Sequence, residues 1–346
     1  MLRRAGDRAH LSRGRAGAGR GLAGRSRADA VAVKTLPPLA PLSARPLLSV
    51  VVPSYNQGAF IRQTIESCLA QDYRPIEIVV VDGASTDGTV AVLESFAGQP
   101  EVRWVSEPDA GVVDAVNKGL ARARGEIAVI QSSDDFFLPG CFSAVAEGFR
   151  THPAAGLVFG DVERVDADGK VAFSPRQPRF SLARLLAREL FIYQPAAFFR
   201  RELALALGGW NPEIPYVPDV DLWIRLAFHS QVAQLDAVLA ACRSHPGQRD
   251  KHRQNIYRDY LRMLEISREI PDAPRSLRRA AAAGAAMLKF RYGGPWSDAE
   301  LTRAAWRALL LRPALLLSPA LPKHRLVPGY FALTGLRRKI FGGGAP

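Results

Sequence analysis

The chain has 346 residues, 48% hydrophobic and 23% charged, enough length and apolar content for one large or two modest domains with an ample core. Its net charge is +13, yet residues 1–45 and 301–346 each contribute +8 and the stretch between them nets −3. A nucleic-acid-binding domain would carry such charge on folded surface with aromatic residues among it, so this distribution argues against a nucleic-acid groove and for basic ends.

Cys68, Cys141 and Cys242 are far apart, odd in number and set among apolar residues, which reads as buried thiols in a reducing compartment. No uninterrupted apolar run reaches the roughly 18 residues of a membrane span, and the arginine-containing N-terminus lacks the apolar core of a secretory signal. A cytoplasmic protein is the expectation.

Residues 1–45, rich in Arg, Gly and Ala and closing in Pro37, Pro38 and Pro41, cannot bury a core and are predicted to be a disordered basic tail. Residues 47–52 form the first predicted strand, broken by Pro53-Ser54-Tyr55-Asn56-Gln57-Gly58. A helix follows, with Ile61, Ile65, Cys68 and Leu69 on one stripe. A second strand, 76–81, ends at Asp82 and a Gly-containing turn. Val90, Leu93 and Phe96 mark a helix face, 102–105 a short strand, and Val112, Val116 and Leu120 another helix. The strand 127–130 then runs into Asp134 and Asp135. Strand and helix alternating at this spacing predict a mainly parallel sheet flanked by helices.

From about 150 the rhythm changes. Strands are predicted at 156–165 and 195–200, a hairpin turn at 166–169, and helices at 179–190 and 219–227, with Gly208-Gly209 stopping one more helix. After 255 the pattern is helical and basic. The expected organisation is a tail (1–45), a catalytic domain (46–250, with halves 46–150 and 151–250) and a helical basic C-terminal extension (251–346).

Adjacent carboxylates at a strand end, as at Asp134-Asp135, repel unless a cation or proton lies between them, and Mg²⁺ or Mn²⁺ binds such oxygens and bridges to phosphates. A solvated Asp-Asp turn is the bland alternative. Asp82 could accept a hydrogen bond from a base or ribose, or simply cap its turn. Asp114 and Lys118 have ion-pair spacing on a helix, and Asn117 lies beside that helix's apolar stripe. Asp219 opens a helix, so it could be an N-cap or a general base, with Asp221 the rival carboxylate. His245 precedes Pro246-Gly247 in a loop.

The order of these features resembles the family 2 glycosyltransferases of the GT-A fold over about residues 47–250. The stretches S-V-V-V-P-S-Y-N, I-V-V-V-D-G-A-S-T-D-G-T, S-E-P-D-A-G-V-V-D-A-V-N-K-G-L and Q-S-S-D-D-F-F-L-P-G carry the likeness, with Q-P-A-A-F-F-R-R-E-L and G-G-W-N after them. The resemblance implies an inverting enzyme that uses a nucleotide-diphosphate sugar and a divalent metal, Mn²⁺ or Mg²⁺. It puts Tyr55 and Asp82 at the base with Pro53 shaping that pocket, Asp114 and Asn117 in the same nucleotide-sugar group, and Asp134 at the ribose. Asp135 would meet the metal, His245 a metal or diphosphate, and Asp219 would be the base. Two departures stand out: Pro218 replaces the Glu common before the base, and Asp82-Gly83 has one carboxylate fewer than the usual Asp-Asp-Gly.

The expected reaction moves a sugar to an acceptor hydroxyl, saccharide or lipid-linked, in cell-surface polysaccharide or glycolipid synthesis. A sugar-1-phosphate nucleotidyltransferase would need a Gly-rich, cation-bearing loop after the first strand, where Pro53-Ser54-Tyr55-Asn56 stands. A non-catalytic basic binder of membrane surface or nucleic acid is the other alternative. The acid-free segment 301–346, with its leucine clusters and Trp306, predicts association with the inner face of an anionic membrane without crossing it.

Overall fold

A computed structural model of the chain describes residues 36, 39–246, 248, 252–270, 273–292 and 294–322, so most of the predicted N-terminal tail and the end of the basic C-terminal segment, Tyr330 and Phe331 included, lie outside the described residues.

Strand β1 (Leu48–Ser54) is buried along its whole length, because helices cover both faces of the sheet. Val50 and Val52 pack with Ile61 and Ile65 of α1 (Ile61–Leu69), while Val51 points the other way into a second core. Strand β2 (Ile76–Asp82), helix α2 (Thr89–Glu94), strand β3 (Val102–Ser106), helix α3 (Val112–Arg122) and strand β4 (Ile127–Ile130) complete a parallel array. Val116 and Leu120 of α3 close the core on Val51.

The second half mixes strand directions. It runs β5 (Phe136–Phe137), α4 (Cys141–Thr151), β6 (Ala155–Val165), β7 (Val171–Phe173), α5 (Leu182–Leu186), β8 (Ala197–Arg200), α6 (Arg201–Ala206), α7 (Pro218–His229) and β9 (Gln231–Arg243). The sheet order is β3-β2-β1-β4-β8-β6-β9-β5, with β7 hairpinned onto β6. Strand β8 joins the halves, antiparallel to both β4 and β6, while β9 lies parallel to β6.

Three local expectations change. The predicted helix 179–190 shrinks to α5, since Ser181 caps its start and Arg188, at φ 62°, turns the chain left-handed after it. Pro195 opens a short 3-10 turn, so the strand begins at Ala197. Val217, not Asp219, is the N-cap of α7, because Pro218 takes the first helical position, where its missing N–H leaves no bond unmade.

Three helices follow: α8 (Arg253–Glu269), α9 (Arg275–Tyr292) and α10 (Asp298–Leu311). Ile256, Tyr260, Met263 and Leu264 of α8 share the core of α7 and β8, so the C-terminal helices begin as a packed part of the sheet-bearing body. Helix α9 crosses α5 closely, and a Cβ at Gly284 would strike the Leu186 carbonyl. Helix α10 packs on α9 through a smaller cluster of its own, built largely from alanines. No helix among the described residues is long and apolar enough to cross a membrane.

Candidate active site

Strands β1, β2 and β4 run in one direction and end at one edge, where parallel sheets gather ligands. Polar side chains crowd that edge. Ser54 Oγ and both amide atoms of Gln131 are buried there without a hydrogen-bond partner, a state few native polar groups tolerate unless a ligand satisfies them.

Asp82 is fully buried and accepts from Ser85 N at 2.9 Å, Ser85 Oγ at 2.5 Å and Ser106 Oγ at 2.7 Å. Its carboxylate thus closes the turn after β2. That turn is zipped to the loop after β1, as Asn56 Oδ1 accepts from Thr86 N and Asp87 accepts from Gly58 N. Pro53 lies inside β1 opposite Val81, and the next residue but one, Tyr55, holds its ring 61% exposed on the rim.

Asp114 and Asn117 have partners inside the protein rather than open contact groups. Asp114 pairs with Lys118 at 3.0 Å and accepts from Ala110 N, and these bonds hold its carboxyl below the usual range. Asn117 gives both ends of its amide to Trp210, donating to the carbonyl at 2.9 Å and accepting from the N–H at 2.8 Å. Gly209, at φ 66°, presses against the same amide, with no room for a side chain. Asn117 thus fixes the loop that leads to α7, while Asp114 ties the start of α3 to Lys118.

Asp134 and Asp135 follow β4, clamped by elements distant in sequence. Thr64 Oγ1 of α1 donates to the carbonyls of Ser133 and Asp135 at 2.9 and 2.7 Å. Arg243, the last residue of β9, donates its backbone N–H to Asp135 Oδ1 at 2.7 Å and its Nε to the Asp134 carbonyl at 2.9 Å. Its guanidinium also reaches Gln63 Oε1 and the Ala167 carbonyl, and stacks near Phe60 and Phe136. His245 Nε2 lies 3.0 Å from Asp134 Oδ2, beside Gln248 Nε2 at the same distance. Burial, and then the Asp134 charge beside it, push the Asp135 carboxyl well above its ordinary pKa, against the Arg243 amide that lowers it.

Among the described residues no group of three or more His, Cys, Asp or Glu is arranged as a ready metal cluster. The donor types still suit a hard dication: two carboxylates whose mutual repulsion a cation would relieve, and an imidazole already against one of them.

Asp219 and Asp221 share the first turn of α7 but not their surroundings. Asp221 is buried and takes Arg225 Nε and Nη2 at 2.9 and 2.6 Å, while Arg225 also bonds the carbonyls of Leu207 and Gly209. It is a structural ion pair. Asp219 is half-buried near Tyr260, whose hydroxyl pKa is pushed up by burial in the core and, to a smaller degree, by Tyr292 and the Asp219 charge. Arg188 lies over the Tyr260 ring at 3.9 Å, buried, with its three guanidinium nitrogens lacking hydrogen-bond partners. Sequence reasoning gave no role to Arg188, to Gln131, which opens the Q-S-S-D-D stretch, or to Arg243. Periodicity gives no signal for any of them, though Arg243 stands two residues before the noticed His245.

A mixed sheet flanked by helices, with an Asp-Asp pair at the edge where its parallel strands end, has the architecture of the GT-A glycosyltransferases. The model of the family described as glycosyl transferase family 2 matches residues 49–207. A glycosyltransferase of PGL/p-HBAD biosynthesis from Mycobacterium bovis is 30% identical over 185 residues, covering 53% of this chain and 70% of the relative. The crystal structure of S. aureus TarS 1-349 with UDP-GlcNAc superposes with a TM-score of 0.60 at 17% identity, over 80% of this chain and 82% of that one. The mannosyltransferase PcManGT from Pyrobaculum calidifontis, with GDP-Man and Mn²⁺, gives 0.57 at 23% identity over 88% and 90%. The chain belongs to glycosyl transferase family 2 and is a glycosyltransferase.

Proposed function

We propose that the enzyme transfers a sugar from a nucleotide-diphosphate donor to an acceptor hydroxyl, saccharide or lipid-linked, with inversion, in cell-surface polysaccharide or glycolipid synthesis. The observation that carries the reading is the Asp134-Asp135 pair, held at the donor edge by Arg243 and faced by His245. Tyr55 offers an exposed ring for the nucleotide base, and Asp82 keeps the turn beneath it in shape. Asp135, with Asp134 and His245, would hold Mn²⁺ or Mg²⁺, which when bound neutralises the charge that develops on the departing diphosphate.

Asp219 is the general base in this reading. As the acceptor oxygen attacks the anomeric carbon, the carboxylate takes its proton, and the carbon–phosphate-oxygen bond breaks on the opposite face. The engagement of Asp221 by Arg225 supports Asp219 for this role. The enzyme works from the cytoplasmic side as a peripheral protein on the inner membrane face, a reading supported by its basic C-terminal helices. A donor-hydrolysis screen across nucleotide sugars, with Mn²⁺ and with Mg²⁺, tests the whole. Metal-stimulated release of one nucleoside diphosphate is expected, and no release from any donor would overturn it.

A further inference from the structure

Helices α8, α9 and α10 enclose a hollow of about 460 Å³, rimmed by Arg268, Lys289, Arg303 and Arg307 and floored by alanines of α9 and α10. A second hollow of about 450 Å³ adjoins it, sharing Arg268 and adding Arg278 and Arg279. Among the described residues none of these six cations forms an ion pair. Two acids lie at the hollows: Glu265, and Glu300, which accepts from Ser297 in the cap of α10 and feels the charges of Lys289 and Arg303, so six cations face two carboxylates. Six cations against two carboxylates leave an excess of positive charge at the hollows, so the arrangement suits an anionic occupant.

Beside the hollow the surface turns apolar. Arg303, Trp306, Arg307 and Leu310 recur at the spacing of one helix face, with Trp306 47% and Leu310 72% exposed. The turn Pro313–Leu317 leaves Leu316 50% and Leu317 88% exposed. Half of the large hydrophobic side chains exposed among the described residues therefore lie between 306 and 317. A soluble polyanion would use the cations and have no use for bare leucines. A bilayer surface uses both, the leucines entering the acyl boundary and the cations meeting phosphate.

We propose that the hollow between α8, α9 and α10 binds the phosphate headgroup of an anionic lipid, while Leu310, Leu316 and Leu317 seat the enzyme in the bilayer around it. The small alanine floor leaves space for the headgroup and its glycerol, and the rim supplies charge-assisted donors. This rests on the membrane part of the proposed function and adds the place and chemistry of attachment.

The test uses the full chain, with vesicles of phosphatidylcholine alone or mixed with phosphatidylglycerol, and soluble dihexanoyl-phosphatidylglycerol in calorimetry. The wild type should sediment only with the anionic vesicles and should bind the short-chain lipid. Arg268→Gln with Lys289→Gln should abolish short-chain binding and weaken vesicle binding about fivefold per cation removed. Leu316→Ser with Leu317→Ser should keep short-chain binding and lose vesicle binding. Donor hydrolysis and thermal unfolding, followed in parallel, should not change in either variant. Vesicle binding without short-chain binding would overturn the headgroup site while leaving peripheral attachment standing. Binding of neither lipid form would overturn both, with sugar transfer judged separately by hydrolysis. Heparin binding that tracks the cation variant, with vesicle binding indifferent to the leucine variant, would make the hollow a polyanion site.

Discussion

The catalytic body and the C-terminal helices handle charge in opposite ways. In the body, buried carboxylates are met by partners that tie distant segments together. Glu77 takes Arg103 and Arg124, and Asp221 takes Arg225. In α8 to α10 the six cations around the hollows outnumber the two acids there, and among the described residues none of them is closed in an ion pair. Closed pairs are therefore structural. The groups available for chemistry or partners are those whose partners do not close the account, such as Asp135 against Asp134, or the rim of the hollow.

The largest effect is expected where like charges meet. Asp135→Ala should abolish turnover and the metal-dependent part of nucleotide affinity while leaving the fold intact. Calorimetric titration of the nucleoside diphosphate, with and without Mn²⁺, checks it, and unchanged Mn²⁺-dependent affinity refutes the assignment. Next, Asp219→Asn should keep donor binding and lower kcat by roughly 10²–10⁴-fold. A variant that keeps its rate would return Asp219 to a purely structural place in the first turn of α7.

Closed pairs should answer in stability instead. Asp221→Asn strips the buried partner of Arg225 and should cost about 3–5 kcal/mol in denaturant unfolding. Glu77 sharpens the same point through pH. Burial alone would raise its carboxyl, but hydrogen bonds from Ser49, the Arg124 N–H and the Arg103 and Arg124 guanidinium groups hold it at about 2, against an ordinary 4.5. A depressed folded pKa gives stability that is full above the unfolded value and is lost as pH falls from 4.5 toward about 2. Glu77→Gln should thus cost about 3 kcal/mol near neutral pH and much less in acid, as read from urea titrations. The smallest effect belongs to the open cations, since Arg303→Gln with Arg307→Gln should move stability by no more than about 0.5 kcal/mol.

Much of the first half was legible because its determinants are local. A run such as residues 48–52 must be a covered strand, and a parallel sheet then sends the ends of β1, β2 and β4 to one edge with Asp82, Asp134 and Asp135 upon it. Strand β9 was missed: its N-terminal half is only partly buried and its pairing with β6 carries register shifts, so the alternation that marks a strand is blurred. With β9 went Arg243, whose bonds to Asp134 and Asp135 span more than a hundred residues.

The sequence by itself determined the order of strands and helices in the first half, through composition and spacing near each strand end. Its motifs carried the resemblance to the family, and that resemblance supplied the list of candidate carboxylates. Only the tertiary structure decided which carboxylates are closed. Asp221 and Asp219 are two residues apart on one helix turn and look alike in sequence. What separates them is Arg225, drawn across Asp221 by the carbonyls of Leu207 and Gly209, and that loop is fixed in turn by Asn117 from the other half of the molecule. A carboxylate's role depends on what faces it through space, and contacts between segments so far apart along the chain are settled by packing rather than by local propensity.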